Sequence, residues 1–101
     1  MHKTIISDTS CFIILTNINE LYILHKVYQK ILTTQEITIK YGEALPEWVE
    51  IVTVKDKYRQ QLLEMQIDKG ESSAIALALE TPDSTVILDD YKARKLHNNS
   101  G

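Results

Sequence analysis

Along this chain, short apolar and β-branched runs alternate with longer stretches whose apolar positions recur at helical spacing. The first run, KTIIS at Lys3–Ser7, predicts a buried strand. Asp8-Thr9-Ser10 then sets three N-cap residue types in a row before CFIILTNI, which predicts a tight turn and a helix. Asn19–Gln29 carries Leu21, Leu24, Val27 and Tyr28 at helical spacing behind an asparagine cap, so a second helix is expected. Lys30–Thr33 reads as a second strand, and Thr34 caps a helix that stops at Gly42.

The segment GEALPEW holds Pro46 and predicts a loop, with Trp48 as a packing anchor inside it. Val49–Val54 alternates and is β-branched, so a third strand follows. Asp56 opens a helix through DKYRQQLLEMQI, with Tyr58, Leu62, Leu63 and Met65 expected on its apolar face, and Asp68-Lys69-Gly70 breaks it. Glu71–Glu80 is an alanine- and leucine-rich helix that ends in the turn TPDS. Thr85–Leu88 is the last strand, followed by Asp89-Asp90, a short polar helix YKARKLH and a frayed end. Strands alternating with helices predict an α/β fold built on a short parallel sheet. Ligands in such sheets collect beyond the carboxyl ends of the strands.

At 101 residues the expectation is a single domain spanning 1–101. A hydrophobic fraction of 44% against 25% charged residues excludes a disordered chain. The longest apolar run, Cys11–Leu15, is far short of the roughly 20 residues a bilayer crossing needs, so no membrane role is expected. A lone cysteine and no leader point to a reducing cytoplasm, with Cys11 read as a small core residue. The net charge of -3 gives no basic stripe, so a polyanionic partner would need positive charge from another source. His2, His25 and His97 lack metal-ligand spacing.

The chemistry-bearing residues are acids. Asp8 follows the first strand, Asp89 and Asp90 follow the last, and Glu71 opens the helix before it. Each has an ordinary reading alone: Asp8 as an N-cap, Glu71 as a complement to the helix dipole, Asp89-Asp90 as a cap for YKARKLH. If the first and last strands are neighbours, these acids share one edge, where like charges repel unless a cation neutralises them. Mg²⁺ or Mn²⁺, which prefer oxygen ligands, would do so and would also let an acidic protein work on a phosphodiester.

The frames IISDTS, GEALPEW, DKGESSAIALALE and ILDDYKARKL, in that order, resemble the PIN-domain family, in particular its short VapC-like toxins. The resemblance implies a three-layer α/β/α Rossmann-like sandwich. It also implies a Mg²⁺- or Mn²⁺-dependent endoribonuclease acting on RNA, the toxin of a toxin–antitoxin pair with a small antitoxin as partner. Carried over by position, Asp8, Glu71 and Asp89 or Asp90 match the family's catalytic and metal-binding acids, and Ser10 matches a hydroxyl that helps to place a ligand or water. Lys92 and Arg94, beside the last acids, are candidates for phosphate contacts, against the commoner reading of such charges as a solvated helix face.

Two departures stand out. Where the family carries a glutamate three residues beyond an aliphatic position in the helix after the second strand, counting from Ile37 gives Lys40, with Glu36 and Glu43 nearby as supporting acids. Family members also continue into a further strand and one or more helices, so the expectation is a chain truncated at its C-terminus relative to the family. It is then either a truncated product, a natural remnant or a homodimer whose second copy covers the bare sheet edge. The alternative is a catalytically weak or inactive remnant that serves as a protein-binding or dimerisation module. A phosphoacceptor receiver-like domain is disfavoured, because its acidic pair follows the first strand and the pair here follows the last.

Overall fold

The computed structural model describes residues 4–87. Among them, β1 (Thr4–Ser7), α1 (Thr9–Asn17), α2 (Ile23–Val27), β2 (Lys30–Thr33), α3 (Gln35–Tyr41), β3 (Val49–Ile51), α4 (Lys57–Glu64), α5 (Lys69–Leu79) and β4 (Ser84–Ile87) follow in chain order. The strands form one parallel sheet in the order β3-β2-β1-β4. This is the α/β class that the alternating pattern predicts, and the first and last strands are indeed neighbours. Ile5 lies level with Ile31 on one side and Thr85 on the other. From β1 the chain steps outward to β2 and β3, then returns to the opposite flank of β1. The strand order therefore reverses between β1 and β4, and a crevice opens beyond the carboxyl ends at such a reversal.

The core joins the two inner strands to the helices: Ile5, Ile6 and Ile31 from the sheet, Phe12 from α1, Ile37 from α3 and Leu77 from α5 are all buried. Burying an aliphatic or phenyl side chain of this size contributes about 1.5–3 kcal/mol, which makes these positions the main source of cohesion. Phe12 also meets the Tyr41 ring at 5.7 Å between centroids, and the Tyr41 hydroxyl lies 2.7 Å from Thr16 Oγ1, so α1 and α3 are joined by both apolar and polar contact. Among the described residues no helix is long and apolar enough to cross a membrane.

Four helices begin on a side chain that accepts from the amide three residues on: Asp8 from Cys11, Thr34 from Ile37, Asp56 from Arg59 and Asp68 from Glu71. Each bond satisfies one of the donors that a helix start leaves unpaired. The Asp68 cap corrects the reading of Asp68-Lys69-Gly70 as a break, because α5 starts at Lys69 and includes the glycine. Gly42 ends α3 with φ 77, the left-handed geometry expected of a glycine C-cap.

Three expectations shift. The second helix is cut to five residues and has no side-chain cap. Asn19 instead adopts φ 58 and donates its amide to Thr16 O, closing the turn after α1, a conformation asparagine tolerates better than most residues. The third strand ends at Ile51, opposite Thr33, because the next residue of β2's chain is already the cap of α3. The inward face of α4 is also not the predicted one. Tyr58 and Met65 are 71% and 80% exposed and Leu62 is exposed with them, while Gln60 is buried and Leu63 packs against the core. Gln60 fixes that phase, since its Nε2 donates to Glu36 Oε2 at 2.7 Å and to Glu64 Oε2 at 3.1 Å.

Candidate functional site

Asp8 stands at the carboxyl end of β1 and is 2% exposed. Its Oδ1 accepts from the Cys11 amide at 2.9 Å, its carbonyl accepts from the Phe12 amide at 3.4 Å, and its own amide donates to Ile87 O at 3.3 Å. The last bond extends the β1–β4 ladder past the strand ends and holds Asp8 beside the end of β4. Cys11, one turn into α1, has its thiol pushed up by burial; a hydrogen bond with Ser7 opposes this and the Asp8 charge adds to it. It is a protonated thiol partly packed against the core, in keeping with its reading as a core residue.

Glu71 lies in the first turn of α5 and is 6% exposed. Next to it, Asp68 receives the Glu71 amide on Oδ1 at 2.8 Å and the Lys40 ammonium on Oδ2. Burial alone would raise the Asp68 carboxyl. The Glu71 amide, the Lys40 ammonium and a side-chain bond with Glu71 more than reverse this and hold it well below the usual carboxylate range. The lysine at the position expected to carry an acid is thus bound to an aspartate in contact with Glu71. Asp68 was missed in the sequence as anything but a breaker, although its spacing to Glu71 is that of a capping box.

A chain of buried hydroxyls ties this turn to the strand ends. Ser73 Oγ donates to Gly70 O at 2.6 Å, so the 2.6 Å contact between Thr34 and Ser73 has Thr34 as its donor. Thr34 Oγ1 in turn accepts from the Ile37 amide, and neighbouring Thr33 donates from Oγ1 to Ser7 O at 3.3 Å. These bonds link the carboxyl ends of β1 and β2 to the head of α5, and the buried Asp8 and Glu71 are the sequence neighbours of the two end points, Ser7 and Gly70. These threonines and serines went unnoticed in the sequence because isolated hydroxyl residues carry no spacing signal.

The other candidates are placed as follows. Ser10 is in the first turn of α1, half-buried, two residues past Asp8. Glu36 is in the first turn of α3, held by Gln60. Glu43 lies beyond the C-cap Gly42 and lines a separate groove with Thr16, Tyr22 and Tyr41, so the fold does not bring it to the edge. Trp48 stacks on His25 at 5.0 Å and is partly buried against the core, the anchoring role expected of it. Asp89, Asp90, Lys92 and Arg94 lie outside the described residues.

As donors, Asp8 and Glu71 offer carboxylate oxygens alone, the hard set that suits Mg²⁺ or Mn²⁺ and not a soft metal. Among the described residues no group of three or more His, Cys, Asp or Glu side chains forms a metal site, so these two acids would need a further ligand.

No curated protein and no solved structure matches this sequence. The family described as PIN domain matches it over residues 4–101. With a parallel sheet whose order reverses between β1 and β4, and the buried Asp8 held beside the end of β4 at that reversal, the chain belongs to the PIN-domain family, within the nuclease superfamily.

Proposed function

We propose that the chain is a Mg²⁺- or Mn²⁺-dependent endoribonuclease and the toxin component of a toxin–antitoxin pair. The observation that carries this reading is the Asp8–Ile87 bond, which brings an acid-bearing turn to the end of β4 two residues before Asp89 in the sequence. The Thr34–Ser73 bridge links the head of α5, where Glu71 lies, to the end of β2. Asp8 and Glu71, with Asp89 and Asp90, would hold the ion. A bound divalent ion of this kind lowers the pKa of a coordinated water and stabilises charge on a phosphodiester. The residues of the chain do the rest: Asp8 is fixed by its cap bond, Glu71 by the head of α5, and the hydroxyl chain excludes bulk water from the base of the edge.

Incubating the purified chain with end-labelled single-stranded RNA and Mg²⁺, Mn²⁺ or EDTA tests this reading. Cleavage that EDTA abolishes, and that Asp8→Asn lowers by at least about 10²-fold, is expected for loss of an electrostatic catalytic group. Cleavage indifferent to EDTA, or none at any enzyme level, would defeat it. A second reading, a catalytically inactive PIN domain that binds an antitoxin or a second copy of itself, is favoured by the Lys40–Asp68 ion pair, which sets a cation where the family resemblance calls for an acid.

A further inference from the structure

An acidic chain that handles RNA needs local positive charge, and an open groove beside the acidic edge supplies it. The groove, of about 740 Å³, is bounded by the first turns of α3 and α5 and by the approach to α4. Lys40, Lys57 and Lys69 line it, against the carboxylates of Glu36 and Asp68. Lys40 neutralises Asp68, whereas Glu36 accepts from the neutral Gln60 amide and keeps its negative charge, so three lysines against two carboxylates leave the groove net positive. Lys57 and Lys69 carry no ion pair among the described residues. Each is also the first residue of its helix, where the positive end of the backbone dipole disfavours a cation. Two unpaired lysines at positions that helix stability would leave to acids make a field suited to an anion.

We infer that this groove binds the phosphodiester backbone of single-stranded RNA as it approaches Glu71, with Lys57 and Lys69 contacting phosphates. Ile39, on the same wall and largely exposed, offers an apolar surface for an unstacked base. The identity of the polyanion rests on the ribonuclease reading; the groove does not. Lys40 is a fixed part of the wall, since its ammonium is spent on Asp68.

Fluorescence anisotropy with a labelled single-stranded RNA, on the full chain in EDTA over a range of salt, tests the inference. Removing both lysines by K57A and K69A should weaken binding and lower the slope of log K against log salt by about 1.4, or roughly 0.7 for each phosphate that is no longer neutralised. K26A with K30A, on α2 and at the amino end of β2, should leave that slope unchanged. An unchanged slope in the first pair, or equal falls in both pairs, would overturn the assignment. EDTA separates the two readings. RNA bound through the groove yet uncut when Mg²⁺ is restored would sink the nuclease and leave the groove, whereas cutting with an unaltered slope in K57A/K69A would do the reverse.

Discussion

At position 40 the chain carries a lysine whose ammonium binds the Asp68 carboxylate at the head of α5. Both side chains are partly exposed, so the pair by itself stabilises the fold by no more than about 1 kcal/mol. Its larger effect is on titration: with the Glu71 amide, Lys40 outweighs the burial that would raise the Asp68 carboxyl and holds it low. A carboxyl lowered by folding contributes stability that is complete above its unfolded value of about 3.9 and drains away as pH falls through the folded one. Acid unfolding followed by far-UV circular dichroism should therefore begin at higher pH in Lys40→Met than in the unaltered chain. In Asp68→Asn, which keeps a capping oxygen but cannot titrate, the stability should change less between about pH 4 and pH 2 than in the parent, in line with the loss of one titrating group. The sequence located Lys40 as a departure but not its partner, because 28 residues separate them and only the fold closes that gap.

Among the elements, α3 shows how local chemistry and the site are joined. Thr34 both caps this helix and donates to Ser73, so it links the end of β2 to α5. Thr34→Val keeps the shape and removes both bonds. A loss of about 2 kcal/mol is expected, one part for the cap and one for the buried hydroxyl pair, readable from urea unfolding. At the other end of α3, Gly42 at φ 77 has open space where a Cβ would go, so Gly42→Ala tests backbone strain alone and should cost about 1 kcal/mol in the same measurement. Helix starts and this stop were legible in the sequence because Asp, Thr and Gly act within a few residues of themselves. The face of α4 was not: Tyr58, Leu62 and Met65 make one apolar stripe and Leu63 belongs to another, and the choice between them was made by buried Gln60 reaching Glu36 on a different helix. Periodicity sees a stripe but not the partner that selects it.

For the molecule as a whole, the α/β class and the acids beyond the strand ends could be read from alternating segments, since each signal is local. The strand order could not. That β4 returns to pair with β1, rather than extending the sheet past β3, sets the Asp8 turn beside the end of β4, and it is decided by packing between segments far apart in the sequence. Asp8 and Glu71 stand at element ends, where the sequence alone singles them out, whereas the hydroxyl chain between their neighbours Ser7 and Gly70 emerges only with the fold. The central claim is that these carboxylates form a shared site for a hard divalent ion. Asp8→Asn preserves the helix cap, since asparagine caps as well as aspartate, and removes one ligand charge. The most direct measurement is thermal unfolding of both proteins with and without Mn²⁺. The account predicts a rise of about 10 °C or more in the unaltered chain, as ion near 100 times its Kd stabilises by about 2.7 kcal/mol, and little or none in Asp8→Asn. Equal rises in the two proteins, or no rise in either, would contradict it.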